Sequence, residues 1–350
     1  MASIRKLTNG SWQATIYVGR NEKGKMLRKY ITRQTEKEAK RDAREIERSI
    51  EQNDISNLGL MKVSAYMDSW LEINRPYLAS TTVRAYKMYI EKHFKPYFGN
   101  LKMEKVTDAH IKAYMAEKLQ GLSPTTVRKH FFTLRKIFGE ALKHNSPCVG
   151  LKAPKPNNYT PRIPTREEFE EIRSAFARMG AEEEVIILLA GWCGLRRGEI
   201  FALQWDDIDT KEGIITVDES MALSEEGYRF EPKKPKSDNS VRVVAAPDYL
   251  IERLGVLKQG RKVIQPGIFT MSPGIFDGLY RRTIKKKGLP AIRFHNLRHY
   301  HACILYENQV PDLYAAERMG HDIWVLKKIY QHLGLKKKNE LDQQVKKFFD

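Results

Sequence analysis

Apolar and polar positions follow different rhythms in successive stretches of the chain. The runs "WQATIYV" and "KMLRKYI" near the start are rich in β-branched and aromatic residues, and "NEKG" between them suits a hairpin turn. A charged helix is predicted next over "TEKEAKRDAREIERSIEQN", with Thr35 or a neighbour as its cap. The segment "NDISNLGL" (53–60) reads as a linker, after which helical patterns continue to about residue 147. Within that span "STTVRAY" (80–86) and "SPTTVRKHF" (123–131) both set a Ser/Thr cluster before a helical Val-Arg. Ser123 is the predicted N-cap of the second, with Pro124 in the first helical position. The Pro-, Asn- and Lys-rich "LKAPKPNNYTPRIP" (151–164) reads as an inter-domain linker. A capping box from Thr165 to Glu168 then opens a mostly helical remainder. Its exception is a β section around 213–245, read from "GIITVDES", "GYRFEPKKPK" and "SVRVVAAP".

The expected fold is therefore mainly α with small β sections, in several domains. These are a small three-stranded sheet plus helix in residues 1–55, a helical bundle in 60–150, and a mixed α/β domain in 162–350. A chain of 350 residues is long enough for each to have a core. The longest apolar run, "VIILLAGWCGL" (185–195), is too short to span a bilayer, and the first residues lack a signal-peptide core. Cys148, Cys193 and Cys303 are scattered and odd in number, which suggests a reducing compartment without a disulfide framework. No Cys/His spacing suited to a metal is present.

Charge changes the picture. Sixty-one Lys and Arg against 43 Asp and Glu leave a net +18, which favours a polyanionic partner, nucleic acid above all. The small sheet is expected to expose Arg5, Lys6, Arg20, Lys25, Arg28 and Arg33 on one face, a surface able to enter a DNA groove. The two echoing helix starts offer Thr82, Arg84, Thr126 and Arg128 to phosphate. Taken singly, each of these features has a plainer reading: surface charge, a solvated hairpin, a capped helix.

Four stretches of the last segment concentrate reactive residue types. In "GWCGLRRGEIFALQWDDID" (191–209), Arg196 and Arg197 follow an apolar helix, where a guanidinium needs a partner such as Glu199 or a bound anion. "PKSDNSVRVV" (235–244) places Lys236 in a turn between strands. "FHNLRHYHA" (294–302) sets His295 and Arg298 three apart, on one helical face. In "MGHDIWVLKKIYQH" (319–332), His321 precedes Tyr330 by nine residues.

In order and spacing these stretches resemble the signature of the tyrosine recombinases, the phage-integrase family, over about residues 60–350. "CGLRRGE" is similar to that family's "TGLRxxE", "PKSDNSVR" to "PKTxxSxR", "HNLRH" to "HDLRH" and "MGH" to "LGH". The resemblance assigns the catalytic roles to Arg196, Lys236, His295, Arg298 and His321, with Tyr330 as nucleophile and Glu199 in support. Cys193, Asn296, Tyr300 and Met319 depart from the family's usual residues without removing a reacting group, and Lys233 and Lys234 lie close enough to compete with Lys236.

Such residues suit metal-free, cofactor-free phosphodiester exchange. The arginines neutralise phosphate charge, the histidines and a lysine manage protons, and a tyrosine of ordinary pKa roughly 10 attacks in a cationic setting. The resemblance implies a bacterial cytoplasmic, nucleoid-associated enzyme acting on core and arm att sites as a homotetramer, with a host DNA-bending protein and an excisionase as further partners and no membrane. Residues 1–55, with their small basic sheet, resemble the arm-site-binding domain of phage and conjugative-transposon integrases, which implies the integrase of a mobile element. A catalytically silent DNA-binding protein of the same fold and a chromosome-dimer-resolving recombinase are the alternatives. A metal-dependent nuclease and a type IB topoisomerase are more distant ones. In the tail "NELDQQVKKFF" (339–349), Leu341, Val345 and Phe348 or Phe349 recur at helical spacing, for packing on a neighbouring protomer or on the same chain.

Overall fold

In the computed structural model the chain is described except at residue 1 and at 8–9, 21–25, 158–160, 228, 234–240, 262–264, 321, 331–344 and 347–350. At 17–20, 26–27, 29, 48–59, 325 and 328–330 only the backbone is described. The chain divides into two compact units, Met1–Asn158 and Tyr159–Asp350.

The first unit opens with an antiparallel sheet, β1 (Ser3–Lys6), β2 (Trp12–Arg20) and β3 (Met26–Arg33), in that spatial order. Ile4 and Ile31 flank Ala14 across the ladder, so the period of two sends them with Ile16 to one face. That face packs on Ala39 and Ala43 of α1 (Glu36–Leu60), where small residues let helix and sheet approach. Thr35 and Glu38 cap the helix reciprocally, each side-chain oxygen accepting the other's N–H at 3.3 Å.

Two expectations change here. Residues 53–60 are not a linker, because α1 runs unbroken through them: without a proline, Asn, Asp and Gly are tolerated in a helix already under way. Register also splits the expected basic face. Arg5 and Arg28 share the outer side with Gln13, Thr15, Tyr30 and Thr32. Lys6 and Arg33 pair with Trp12 and belong to the helix side, where Arg33 donates to Asp42 of α1 at 2.6 Å. The Arg20 side chain and Lys25 lie outside the described residues.

The rest of this unit is a helical bundle of α2 (Val63–Asn74), α3 (Ser80–Tyr89), a π turn at Ile90–Phe94, α4 (Lys95–Phe98), α5 (Asp108–Leu119) and α6 (Pro124–Leu142). Val127, Phe131, Leu134 and Phe138 form the buried stripe of α6, packed with Met67, Trp70, Phe94, Phe98 and Tyr114. The two echoing helix starts differ in detail. Ser123 caps α6 by accepting the Thr126 N–H at 3.2 Å, whereas Ala79 stands at the cap of α3, whose Ser80 is already helical. The expected linker 151–164 is bundle structure in its first half. Leu151 and Ala153 pack on the bundle core, and Arg128 donates to the Pro154 carbonyl at 3.0 Å.

The second unit is built around α8 (Ala181–Trp192), whose residues Val185–Ala190 are all buried because helices cover it on several sides. These are α7 (Arg166–Ala177), α10 (Asp248–Gln259) and α12 (Phe294–Glu307). The capping box predicted at Thr165 and Glu168 is formed, with bonds of 3.2 and 3.1 Å. α9 (Arg197–Ala202) follows α8. The β section comprises β4 (Ile208–Asp209), β5 (Ile214–Val217), β6 (Ser220–Leu223), β7 (Phe230–Lys233) and β8 (Arg242–Ala245). These make an antiparallel β4-β5-β8 sheet and a β6-β7 pair. α11 (Pro273–Lys286) precedes α12, and α13 (Asp312–Met319) and α14 (Ile323–Tyr330) end the described part, apart from a helical fragment at 345–346. The predicted packing of the tail lies otherwise outside the described residues.

Gly191 shows how tightly α8 is packed. A Cβ there would run into the Phe169 ring, which itself stacks on Tyr300 with centroids 4.7 Å apart. Gly191→Ala should therefore destabilise this unit by about 1–3 kcal/mol through overpacking. A urea melt of the full chain checks this, and an unchanged midpoint would mean the ring moves aside freely.

Candidate active site

Two sequence-predicted arginines and the glutamate converge at the carboxy-terminal end of α13. Arg196 is the cap residue of α9, and Glu199, one turn on, folds back to it. One Glu199 oxygen accepts the Arg196 backbone N–H at 2.8 Å and the other accepts the Arg196 guanidinium at 2.7 Å. Arg298 comes from α12 and is only 1% exposed; its Nη1 lies 3.8 Å from the same carboxylate. Its two Nη atoms donate to the carbonyls of Gly194 and Met319. Its Nε has no hydrogen-bond partner among the described residues.

A third guanidinium belongs to the cluster. Arg242, the first residue of β8, gives Nη1 and Nη2 to the two oxygens of Glu199 at 3.2 and 2.7 Å, and Nε to the Arg318 carbonyl at 2.8 Å. It was not singled out among the candidate residues, although it ends the quoted box "PKSDNSVR". Its place at the end of that box is the one signal the sequence offers.

The last two carbonyls of α13 and that of Gly320 just beyond it thus each hold one arginine: Arg318 O takes Arg242, Met319 O takes Arg298, and Gly320 O takes Arg196 at 2.5 Å. Helix-terminal carbonyls lack intrahelical donors and carry the negative end of the helix dipole, so they suit cations. Gly320 closes the helix at φ 58°, in the left-handed region. A Cβ there would sit 3.1 Å from Arg242 and 3.4 Å from Arg196, so a larger residue would strain both the turn and the cluster.

Three guanidiniums share one carboxylate. Burial works to raise the Glu199 pKa, but the bond to Arg242 and the charges of Arg242, Arg298 and Arg196 hold it down to about 2. Burial, then the charge of Arg196, lowers the pKa of Arg298 well below its ordinary value. His295 opens α12 and keeps part of its ring at the surface. Partial burial and the charges of Arg298, Arg196 and Arg197 lower its pKa, which favours the neutral imidazole. Its ring meets His299 edge-on at 5.0 Å.

Arg196 and His295 open onto one cavity of about 1060 Å³, bordered also by Arg197, Arg281, Lys285 and Arg293. Arg197 is paired with Asp277 there. Lys236 and His321 lie outside the described residues, and Lys233 ends β7, just before the undescribed residues 234–240. Tyr330 is the last residue of α14, with its backbone alone described. α14 is anchored by Leu326, fully buried against Ala302, Ala315, Ala316 and Met319, one helical turn before Tyr330.

The DNA-contact candidates Arg20, Arg28, Thr82, Arg84, Thr126 and Arg128 belong to the first unit. Arg28 and Arg84 are exposed. Arg128 is half-buried, tied to Pro154 and set over the Phe132 ring at 4.9 Å, and the Thr126 hydroxyl is shared with Ser123 at 2.9 Å.

Two family models match the chain: the phage integrase family over residues 164–336 and the phage integrase N-terminal SAM-like domain over 62–129. A XerC-like tyrosine recombinase of Caldanaerobacter subterraneus is 27% identical over 97% of this chain and 96% of its own. The ICEBs1 integrase of Bacillus subtilis is 27% identical over 97% and 98%. Among solved structures, the Tn1549 transposon integrase with circular-intermediate DNA matches with a TM-score of 0.68 at 18% identity, over 81% of this chain and all of that one. A lambda integrase dimer on a core site matches with a TM-score of 0.63 at 19% identity, over 95% of both chains.

Proposed function

The chain belongs to the phage-integrase family of tyrosine recombinases, which are site-specific DNA recombinases, and from that premise we propose that it integrates and excises a mobile element through a 3′-phosphotyrosyl intermediate. The observation that carries this reading is the charge of the buried cluster. Among the described residues Arg196, Arg242 and Arg298 share the one carboxylate of Glu199, so the cations of the cluster outnumber it. A phosphodiester anion beside Arg196 and Arg298 supplies part of the missing counter-charge, and forked guanidiniums match its oxygens.

The chemistry then proceeds in balanced steps. The Tyr330 oxygen attacks phosphorus while its proton passes to His295 or His321. The bond from phosphorus to the 5′-oxygen breaks, and Lys236 protonates the departing oxygen. The developing negative charge meets donors already held in place by protein carbonyls and Glu199, so little reorganisation accompanies it. The phosphotyrosyl bond retains the phosphodiester's energy. Attack by a different 5′-hydroxyl therefore reseals the strand and exchanges partners without a cofactor.

Roles for the rest of the chain follow. Residues 1–55 bind arm-type DNA through Arg28 on the outer sheet face and through Arg20, and the helical part of 60–150 grips core DNA with Thr82, Arg84, Thr126 and Arg128. Residues 162–350 perform cleavage. The two DNA complexes in the comparison support DNA as the partner, and a lambda integrase tetramer on a Holliday junction supports assembly as a homotetramer. A host DNA-bending protein and an excisionase complete the proposed partners, in the bacterial cytoplasm. Nicked duplexes tiled across the ends of the element that encodes the chain test the reading. A protein–DNA adduct that survives denaturation, with release of a 5′-hydroxyl end, is expected from one of them. DNA binding with no adduct on any duplex would favour a catalytically silent binding protein.

A further inference from the structure

We propose, on the basis of the recombinase reading above, that Arg242 is a positioning residue for cleavage: it sets the geometry of Arg196 through Glu199 and clamps β8 to the end of α13. The placement of its three donors carries the inference. Arg242 is 6% exposed, and its backbone is fixed opposite Val217 in the β5–β8 ladder. From that point two nitrogens reach the two oxygens of Glu199 and the third reaches the Arg318 carbonyl. The clasp is returned, since the Arg318 guanidinium donates to the Ala245 carbonyl of β8 at 2.9 Å.

One side chain therefore joins three parts of the site that are distant in sequence: the arginine box of α9, the β8 strand, and the end of α13. All three of its nitrogens donate to protein acceptors, and it does not border the cavity onto which Arg196 and His295 open. It acts through its neighbours. Glu199 orients Arg196 with the same two oxygens that Arg242 holds, so losing Arg242 frees the carboxylate to turn and Arg196 to swing from its place at Gly320 O. A misplacement of about 1 Å in such a group costs on the order of 100-fold in rate. Lysine cannot replace it, because a single ammonium lacks the planar fork that spans a carboxylate and a carbonyl together.

The test uses the full chain on the nicked duplex that yields the wild-type adduct, with protein in excess so that one cleavage round is timed. Arg242→Gln is expected to slow adduct formation about 100-fold, and Arg242→Lys about tenfold, while the DNA dissociation constant stays within about threefold of wild type. In the double variant with Glu199→Gln, the Arg242→Gln effect is expected to vanish largely, because both act along one line. Melting curves fix a temperature at which every variant is folded; if Arg242→Gln does not fold, Arg242→Lys carries the comparison. A purely structural role would lower the melting temperature and leave the cleavage rate at that temperature unchanged, which would overturn the proposal. Independent, multiplying effects of the two substitutions would overturn it as well. A wild-type chain that forms no adduct would instead remove the recombinase reading on which the proposal stands.

Discussion

Arg298→Ala should lower the rate of covalent adduct formation by about 10³-fold, the scale of losing a preorganised charge donor in a water-poor site. Arg298 is 1% exposed, beside Arg196 and Glu199, with both Nη atoms fixed on backbone carbonyls. Such a group has paid its ordering and desolvation in folding, so its field is in place before the phosphate develops negative charge. Burial and the neighbouring Arg196 charge work against the bare cation, and that opposition is relieved when an anion arrives. Arg298→Lys should fail nearly as badly, since one ammonium cannot reach the Gly194 and Met319 carbonyls and a phosphate at once. Binding to a long duplex should change far less, because the proposed reading gives most phosphate contacts to residues 1–150. Single-turnover cleavage alongside a gel-shift titration checks this; equal losses in both would make Arg298 a general DNA contact.

The second large effect concerns stability. Glu199→Ala should destabilise the second unit by about 3–5 kcal/mol, because it leaves Arg196, Arg242 and Arg298 without their shared carboxylate. The effect has a pH signature. Glu199 is held at about 2 in the fold against an ordinary 4.5, so its contribution is complete above 4.5 and is lost as pH falls toward 2. A lowered folded-state pKa means that the unfolded chain takes up the proton first, and acid therefore favours unfolding. Urea melts of wild type and Glu199→Gln should differ by roughly 3 kcal/mol at pH 7 and converge only as pH falls to about 2. A gap that stays constant across that range would show that the carboxylate's charge is not what holds the cluster.

Much of the site was legible in the sequence because its chemistry uses rare residue types in fixed order. Arg196, Glu199 and Arg298 were all named from short boxes, and the structure brings them into one cluster. Arg242 was passed over because a buried arginine and a solvated one look alike in a strand. Only the register with β5 and the nearness of Glu199 tell them apart. The carbonyls of Arg318, Met319 and Gly320 have no signature at all, since every residue has one and only the fold decides which are left without donors. At the amino-terminal end the strands and the Thr35 cap were readable from composition. The helix through 53–60 was not, because Asn, Asp, Ser and Gly describe a loop locally while propagation from the turns before it decides otherwise. Arg33 was misplaced for a simpler reason: strand parity puts it with Trp12, next to Asp42.

Tyr330 carries the central claim, and mapping the covalent bond tests it most directly. The adduct formed on a nicked duplex is digested with protease and nuclease, and the nucleotide-bearing peptide is sequenced by mass spectrometry, with Tyr330→Phe run in parallel. The expected result is a single modified peptide with a 3′-phosphate on Tyr330, and no adduct from the phenylalanine variant. A nucleotide attached to any other residue, or an adduct that persists in Tyr330→Phe, would contradict the assignment.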